Sequence, residues 1–284
     1  MTRLNTLIGA FESGKRAFGT FAQASMESAL WVSAAPYDAV IYEMEHQPWD
    51  AALLRDTLQW MLNRRTIHQA SSLAPGVTPL VRIPANGGEM NQFLAKQALD
   101  MGAFGVVWPH VSTADQAYNA VAACRYPRLK TAPRYEPAGI RGDSPTNAAR
   151  FWGIPAPAYY KAADVWPLAP EGEILVILMI EDTEALANLD DMLKRVSGIG
   201  AVLIGEGDLS QELGHPRDYD HPEVVGAMDE IVRICKANKV PVGHPHVDQK
   251  NLQSVHDRGF DLFLASPVRS FGALEAGRKL AGRG

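Results

Sequence analysis

The stretch Leu175–Leu213 reads LVILMIEDTEALANLDDMLKRVSGIGAVLIGEGDLSQEL. Two apolar runs, Leu175–Ile180 and Ala201–Ile204, each end at a polar tip, and such runs are typical of buried parallel strands. Apolar residues between them recur at helical spacing from Leu186 to Val196. The stretch therefore predicts a strand–helix–strand unit.

One carboxylate follows each of these two strands, Glu181 after the first and Asp208 after the second. Because adjacent parallel strands end at the same edge of a sheet, we expect the two carboxylates to lie close enough to share a divalent cation. Taken alone, two such acids are more often solvated loop residues or helix caps. The rest of the chain must therefore decide between the two interpretations.

The composition indicates a globular protein with a sizeable core, since 46% of the 284 residues are hydrophobic and 21% are charged. Length alone suggests about two domains, but a single α/β barrel commonly has about 250 residues. We therefore expect one barrel domain over residues 1–284. The net charge of −5 argues against a nucleic-acid partner or an anionic membrane surface.

Cysteine usage and the absence of long apolar runs point to a cytoplasmic location. Cys124 and Cys235 are the two cysteines, and both fall in helical patterns, as expected of reduced core thiols. No apolar run reaches the roughly 18 residues of a membrane span, and the N-terminus has no signal-peptide pattern.

Short apolar runs alternate with helical segments along the whole chain. We predict eight strands: Thr20–Ala22, Ala39–Tyr42, Pro79–Ile83, Gly105–Pro109, Leu175–Ile180, Ala201–Ile204, Val240–Gly243 and Asp261–Ala265. Eight such units favour a closed (β/α)8 TIM barrel of the α/β class. An open doubly wound sheet is the alternative, but it would normally carry a glycine-rich phosphate turn, and no GxGxxG is present.

Helical spacing predicts the segments between these strands. They include an extra N-terminal helix around Leu4–Phe11, one long helix over Asp50–Gln69 with Asp50 as N-cap, a helix from Thr113 to Cys124, and a last helix over Val268–Leu280. A long loop, Arg125–Pro170, follows the fourth strand–helix unit and has one helical hint, over Ala158–Val165. Long loops in compact domains are usually functional or disordered.

Polar residues gather where the predicted strands end, which is where barrel enzymes place their active sites. They are Glu43, Glu45, His46, Arg82, His110, Glu181, Asp208, His244, His246 and Arg269. Each alone has a structural explanation, but their joint placement favours a catalytic site. Carboxylates suit a hard cation such as Mg²⁺, and a guanidinium beside it would stabilise an enolate oxygen. No lysine ends the fifth to seventh strands, which argues against a Schiff-base aldolase.

Five segments of the chain follow the order of one family's motifs. They are YDAVIYEMEHQPWD at 37–50, PLVRIP at 79–84, RYEPAGIRGD at 134–143, IEDTEALANLDD at 180–191 and IGEGDLSQELG at 204–214. Together they resemble the HpcH/HpaI aldolase family of metal-dependent pyruvate aldolases. The resemblance implies a (β/α)8 barrel that cleaves or forms 4-hydroxy-2-oxo acids through a pyruvate enolate, with pyruvate and an aldehyde as the small-molecule partners. It also implies a homo-oligomer, a hexamer or a dimer.

The resemblance further implies roles for individual residues. Glu181 and Asp208 would bind Mg²⁺ or Mn²⁺, with Co²⁺ as a further candidate. His46 would be the general base, acting through a metal-bound water, and Asp100 would orient it. Arg82 would hold the keto or enolate oxygen. The backbone N–H groups of Gly207 and Asp208 would hold the pyruvate carboxylate.

The chain departs from the family pattern at three positions near these residues. Met179 stands where glutamine is frequent, Glu206 stands where proline is usual, and Glu43 stands where aspartate is typical. Two other functions therefore stay open. One is a related C–C lyase acting on a CoA thioester or a 2-oxo diacid, of decarboxylating or cycloaddition type. The other is a non-catalytic binding barrel.

Overall fold

The fold is a closed barrel of eight parallel strands, seen in a computed structural model that describes residues 3–84, 86–266 and 272–283. The strands are β1 Ala17–Gln23, β2 Ala39–Glu43, β3 Thr78–Arg82, β4 Gly105–Trp108, β5 Val165–Trp166, β6 Ile174–Ile180, β7 Ala201–Ile204, β8 Val242–Val247 and β9 Leu262–Ala265. Pairing of β4 with β6 closes the barrel, and the two-residue β5 pairs with the start of β6. The predicted (β/α)8 architecture is confirmed.

Helices separate the strands along the chain. They are α1 Thr6–Glu12, α2 Met26–Val32, α3 Ala51–Trp60, α4 Arg64–Gln69, α5 Gln92–Met101, α6 Ala114–Ala123, α7 Thr146–Trp152, α8 Ala156–Ala162, α9 Thr183–Arg195, α10 Glu206–Glu212, α11 Pro222–Ala237, α12 Leu252–Asp257 and α13 Gly272–Leu280. A 3-10 turn, Gly87–Glu89, follows β3. Thr113 caps α6 as predicted.

The register of the strands places their carboxyl ends at one face of the barrel. Glu43 at the end of β2 is opposite Arg82 at the end of β3, and Ile180 in β6 is opposite Ile204 in β7. Every residue of β6 and β7 is buried, as expected of parallel strands covered on both faces. The polar residues that follow these strands therefore meet at the same edge.

The N-terminal helix α1 lies against the opposite end of the barrel. Asn5, its N-cap, donates from its side-chain amide to the carbonyls of Phe104 at 3.2 Å and Glu173 at 3.1 Å, just before β4 and β6. Thr6 donates its hydroxyl to the carbonyl of Asp38 at 2.9 Å, just before β2. This extra helix was predicted, and its position leaves the carboxyl ends of the strands accessible.

The predicted long helix over Asp50–Gln69 is wrong, because the structure has two helices there, α3 and α4. Asp50 caps α3 as expected, its side chain accepting from the backbone N–H of Leu53 at 2.9 Å. Asn63 interrupts the pattern, because its side chain accepts from the backbone N–H groups at the start of α4. A capping side chain of this kind starts a new helix in place of continuing the old one.

Two other segments differ in detail from their prediction. The long connection after α6 is present, but it contains α7, α8 and β5, and the single helical hint at Ala158–Val165 corresponds to α8. Strand β8 extends to Val247, so His244 and His246 lie within it and do not follow it. For the last helix, α13 is described, whereas Val268, Arg269 and Phe271 lie outside the described residues.

Both cysteines are buried and free, as predicted. Within the part of the chain that the structure describes, none of the helices combines the length and the apolar character needed to cross a bilayer.

Candidate active site

Glu43, the last residue of β2, organises the turn that follows this strand. Its Oε1 accepts hydrogen bonds from the backbone N–H groups of Glu45 at 2.8 Å and His46 at 3.0 Å. Its Oε2 accepts a hydrogen bond from Nε of Arg82 at 2.6 Å. One carboxylate thus fixes both the backbone that carries His46 and the guanidinium on the next strand.

Arg82 is held by two carboxylates and an aromatic ring. Besides its contacts with Glu43, its Nη1 lies 3.0 Å from Oε2 of Glu45, and its Cζ lies 5.0 Å from the centre of the Phe21 ring. Burial raises the pKa of Glu45, and the Arg82 cation acts against that shift. Paired carboxylates and a stacked ring restrict a planar guanidinium to one orientation.

Glu181 follows β6 and is almost fully buried, with 2% of its surface exposed. Its Oε2 accepts a hydrogen bond from the backbone N–H of His110 at 2.7 Å. Burial raises the pKa of Glu181 to about 7, and the neighbouring His110 acts against the shift. The charged form of a carboxylate buried in this way is costly in free energy unless a cation lies beside it.

Asp208 lies in the first turn of α10 and is exposed. His110, Glu181 and Asp208 each offer one ligand atom, and these atoms all lie within 4.8 Å of one another. Two carboxylates fit a hard divalent cation that keeps several waters, and an imidazole adds a donor that Mn²⁺ or Co²⁺ accepts. The residues present therefore fit a divalent metal.

Gly205 lies between β7 and α10, and because it has no side chain, the Glu181 side chain can pack against its backbone. A Cβ at this position would lie 2.2 Å from Oε1 and 2.3 Å from Cγ of Glu181. We therefore expect Gly205→Ala to displace Glu181 and to weaken binding of Mn²⁺ by about 10- to 100-fold, the usual cost of disturbing a ligand's support. A Mn²⁺ titration followed by electron paramagnetic resonance measures this affinity.

The matched control for this substitution is Gly226→Ala in α11. A Cβ there would meet nothing within 4 Å, and alanine is the better helix former. This variant should bind Mn²⁺ like the unmodified chain. Unchanged affinity in Gly205→Ala would contradict the packing argument.

These side chains line one cavity of about 350 Å³ at the carboxyl ends of the strands. Its lining comprises Phe21, Glu43, His46, Arg82, Met179, Glu181, Gly205, Glu206, Gly207, Asp208, Arg217, Tyr219, Pro245, His246, Ala265 and Ser266. The side chain of His46 is 67% exposed, so its imidazole is accessible from solvent. Seven of the lining residues were singled out from the sequence as strand-end or pyruvate-binding candidates: Glu43, His46, Arg82, Glu181, Gly207, Asp208 and His246.

The cavity wall opposite Arg82 contains a carboxylate between two histidines. Glu206 is 2% exposed, its Oε1 contacts Nδ1 of His246, and its Oε2 lies 3.5 Å from Nε2 of His244. Burial lowers the pKa of His244 to about 4, and the Glu206 carboxylate acts against the shift. The sequence analysis had noted Glu206 only as a departure from a family pattern. Its pairing with the two histidines was not predicted, because that pairing requires β8 to extend past Pro245.

Asp100 lies elsewhere in this chain. It is near the end of α5, eight residues after Gln92, which at 1.5 Å per residue is about 12 Å along the helix away from the strand ends. Its carboxylate accepts a hydrogen bond from Nη2 of Arg141 at 2.8 Å, and burial raises its pKa. The lining residues of the cavity do not include Asp100 within the described ranges.

A model of the HpcH/HpaI aldolase/citrate lyase family matches residues 18–265, which span the whole barrel from β1 to β9. The chain belongs to this family. A pyruvate aldolase from Rhizobium etli is 34% identical over 214 residues, which cover 75% of this chain and 70% of the relative. A 4-hydroxy-2-oxovalerate aldolase from Rhodococcus jostii is 33% identical over 240 residues, 84% of this chain and 80% of the relative.

Solved structures of the HpcH/HpaI family agree with this assignment. A crystal structure of a family protein from Burkholderia cenocepacia superimposes with a TM-score of 0.76 at 25% identity and covers 97% of both chains. The family resemblance inferred from the sequence is thus confirmed. The HpcH/HpaI relatives are named aldolases, so the chain is a carbon–carbon lyase.

Proposed function

We propose that this chain is a metal-dependent class II aldolase that cleaves or forms a 4-hydroxy-2-oxo acid through the enolate of pyruvate. The observation that carries the proposal is the convergence of Glu181, Asp208 and Arg82 on one cavity at the strand ends. A retro-aldol reaction needs positive charge where the enolate oxygen develops. These three residues provide a cation site and a fixed guanidinium for that purpose.

Glu181 and Asp208 would hold Mg²⁺ or Mn²⁺, with His110 within reach of the same point and Co²⁺ as a further candidate. When bound, such an ion supplies a Lewis acid that polarises the 2-oxo group of the substrate. The near-complete burial of Glu181 favours this role, because an unpaired carboxylate is costly there.

The first turn of α10 would hold the pyruvate carboxylate. The N–H of Leu209 donates to the carbonyl of Gly205 at 3.1 Å, which is the first hydrogen bond of this helix. The N–H groups of Gly207 and Asp208 precede it and have no acceptor within the helix. Free N–H groups of this kind suit a small carboxylate.

His46 would move the proton of the reaction. Its backbone is fixed by Glu43, and its imidazole faces the cavity. A histidine suits this role because its ordinary pKa lies near neutrality. Asp100 as the residue that orients His46 stays a prediction, and with its carboxylate on Arg141 it would have to act on a neighbouring copy of the chain. A homo-oligomer, dimer or hexamer, likewise stays a prediction, which light scattering tests against the 30.9 kDa of one chain.

A pyruvate-release assay over a panel of 4-hydroxy-2-oxo acids, with and without EDTA, tests the proposed function. We expect release of pyruvate with at least one member of the panel and its loss after EDTA treatment. Restoration by Mg²⁺, Mn²⁺ or Co²⁺ would then identify the preferred ion. Full activity in EDTA, or no turnover with any member, would refute a metal-dependent aldolase.

Arg82→Lys is expected to lower kcat by more than it lowers the affinity for metal. Lysine keeps the charge but loses the planar fork that Glu43 and Glu45 hold in place, so the developing enolate charge is met at the wrong position. Steady-state kinetics and a Mn²⁺ titration on the same preparation separate the two effects. A raised KM with unchanged kcat would contradict the enolate role and leave simple ground-state anchoring.

A further inference from the structure

One wall of the cavity carries a histidine that the proposed chemistry does not use. His246 lies near the end of β8, its side chain is 55% exposed, and it lines the cavity. Around the closed barrel, β8 is opposite β3, which ends at Arg82, because three strands separate the two in either direction. His46 comes from the turn after β2, beside β3. The two imidazoles therefore reach the cavity from different sides.

A bulge in β8 sets the place of this side chain. Between His244 and Val247, three residue steps of β8 lie opposite two steps of β9. The bulge contains Pro245, which has no N–H to donate to a neighbouring strand. Bulges are frequent beside active sites, where they redirect a side chain. The backbone N–H of His246 donates to Nδ1 of His244 at 3.2 Å, so the buried His244 fixes the backbone that carries His246.

Glu206, at the start of α10, lies between these two histidines and is 2% exposed. Its Oε1 contacts Nδ1 of His246, and its Oε2 lies 3.5 Å from Nε2 of His244. Burial lowers the pKa of His244 to about 4, so this ring is neutral near neutral pH. A buried carboxylate is costly in free energy without a cation beside it. Of the two rings, that of His246 is therefore the one that can carry a positive charge against Glu206.

The contact with Glu206 determines which ring nitrogen of His246 can accept a proton. A carboxylate at Nδ1 keeps a proton on that nitrogen, so the lone pair of the neutral ring is on Nε2. In the described ranges of the chain, this Nε2 has no hydrogen-bond partner. The ring of Tyr219 stacks beside the imidazole, with the centres 6.0 Å apart and the planes inclined by 19°. A carboxylate behind one nitrogen and a free lone pair on the other is the arrangement of a general base.

Cleavage of a 4-hydroxy-2-oxo acid needs proton transfer at two different atoms. A base takes the proton of the 4-hydroxyl group as the bond between C3 and C4 breaks, and an acid gives a proton to C3 of the enolate. The hydroxyl oxygen leaves with the aldehyde, whereas C3 stays with pyruvate. Because His46 and His246 lie on different sides of the cavity, each can serve one of these atoms.

We propose that His246, positioned by Glu206, is a second catalytic residue that takes the proton of the 4-hydroxyl group. The proton passes to Nε2, and the electron pair of the O–H bond forms the C=O bond of the aldehyde. The pair of the C3–C4 bond forms the C2–C3 double bond of the enolate, while the carbonyl pair at C2 moves onto its oxygen. His46 then gives a proton to C3, the carbonyl at C2 is restored, and pyruvate results. Exchange with water removes the proton from His246 and returns one to His46.

This inference rests on the proposed aldolase function and divides its proton transfers between two residues. The test compares two reactions of the same chain at saturating Mn²⁺. The first is cleavage of the 4-hydroxy-2-oxo acid that the unmodified chain cleaves fastest. The second is exchange of the C3 protons of pyruvate for deuterium in heavy water, measured by mass spectrometry, which forms the enolate but involves no 4-hydroxyl group.

His246→Gln should separate these two reactions. We expect kcat for cleavage to fall by about 10²- to 10⁴-fold, the usual worth of general acid–base catalysis, while the rate of deuterium exchange stays unchanged. His46→Ala should lower both rates, because the proton at C3 takes part in both reactions.

Three further variants locate the effect. Glu206→Gln keeps the shape of the buried side chain and an acceptor for Nδ1 but removes the charge, so it should lower cleavage less than His246→Gln and spare exchange. A packing role of Glu206 would affect both reactions or neither. Tyr219→Phe removes the phenol, another proton donor of this wall, and should retain most of the cleavage rate. His68→Gln removes an imidazole from an exposed position on α4, outside the cavity, and should change neither reaction.

Near-normal cleavage in His246→Gln would overturn the proposal. Equal losses of cleavage and exchange in that variant would also overturn it, because they would indicate a structural role. A selective loss of cleavage in Tyr219→Phe with normal cleavage in His246→Gln would assign the step to the phenol. Failure of the aldolase function itself gives a different result, since the unmodified chain would then neither exchange the protons of pyruvate nor cleave any 4-hydroxy-2-oxo acid.

Discussion

Replacing Glu181 or Asp208 by alanine is expected to abolish binding of Mg²⁺ and Mn²⁺, and with it all metal-dependent turnover. The site offers two carboxylates and one imidazole within 4.8 Å of one another, so the loss of either carboxylate leaves a hard cation without half of its charged oxygen ligands. Isothermal titration with Mg²⁺ and electron paramagnetic resonance of bound Mn²⁺ measure the effect directly, without any substrate.

Glu181→Gln and Glu230→Ala serve as the controls for this experiment. Glutamine fills the buried position of Glu181 and keeps an acceptor for the N–H of His110, so its loss of metal reports charge and not a cavity. Glu230 is an exposed acid on α11 that pairs with Arg233, and its removal should leave metal binding unchanged. Full metal occupancy in Glu181→Ala or Asp208→Ala at ordinary concentrations would refute the assignment.

The barrel and the residues at its strand ends could be predicted because both depend on local patterns. The runs at β6 and β7 are continuous and apolar, and their predicted bounds differ from the observed ones by a single residue at Ile174. Parallel pairing then places the residues after each strand at one edge of the barrel. The neighbourhood of Glu43, Arg82, Glu181 and Asp208 is a consequence of that rule alone.

Other parts of the fold could not be predicted, because they depend on contacts that local patterns do not contain. Strand β8 includes Pro245, and proline is unusual in a central strand. The predicted strand ended at Gly243, before this proline, and was therefore too short at its carboxyl end. The glycine-rich segment before Asp208 was interpreted as a polar tip, yet it forms the first turn of α10. The break between α3 and α4 was not predicted, because it is recognised only from the hydrogen bonds by which the Asn63 side chain caps α4.

The site residues that were missed come from outside the strand ends. Arg217 and Tyr219 lie on a loop after α10, and no periodicity connects them to a strand. The rings of His215 and His221, at the two ends of this part of the loop, stack with their centres 3.4 Å apart, a contact that no local sequence pattern indicates. His110 had been noted only as one of the polar residues after the predicted strands, and its backbone hydrogen bond to Glu181 places it beside the carboxylates. The single domain over residues 1–284 stays a prediction.

His46→Ala is expected to lower kcat by about 10²- to 10⁴-fold, the usual worth of general acid–base catalysis. Pyruvate affinity should change little, because Arg82 and the first turn of α10 are the groups proposed to bind it. Glu43 holds the backbone of residue 46 through its N–H, which alanine retains, so the turn should keep its shape. The variant therefore tests the imidazole and not the loop.

The measurement for His46→Ala is the full pH profile of pyruvate release at saturating metal, compared with that of His68→Ala. His68 is exposed on α4, away from the cavity, and its removal should not change the rate.

Asp100→Asn should act in the same direction as His46→Ala but more weakly if Asp100 orients the base. Because alanine has no imidazole to move the proton, the residual rate should depend on pH differently from that of the unmodified chain. Near-normal turnover of His46→Ala at every pH would mean that another group moves the proton. His246 would then be the residue to replace next, because it lines the same cavity and its Nδ1 contacts the buried Glu206.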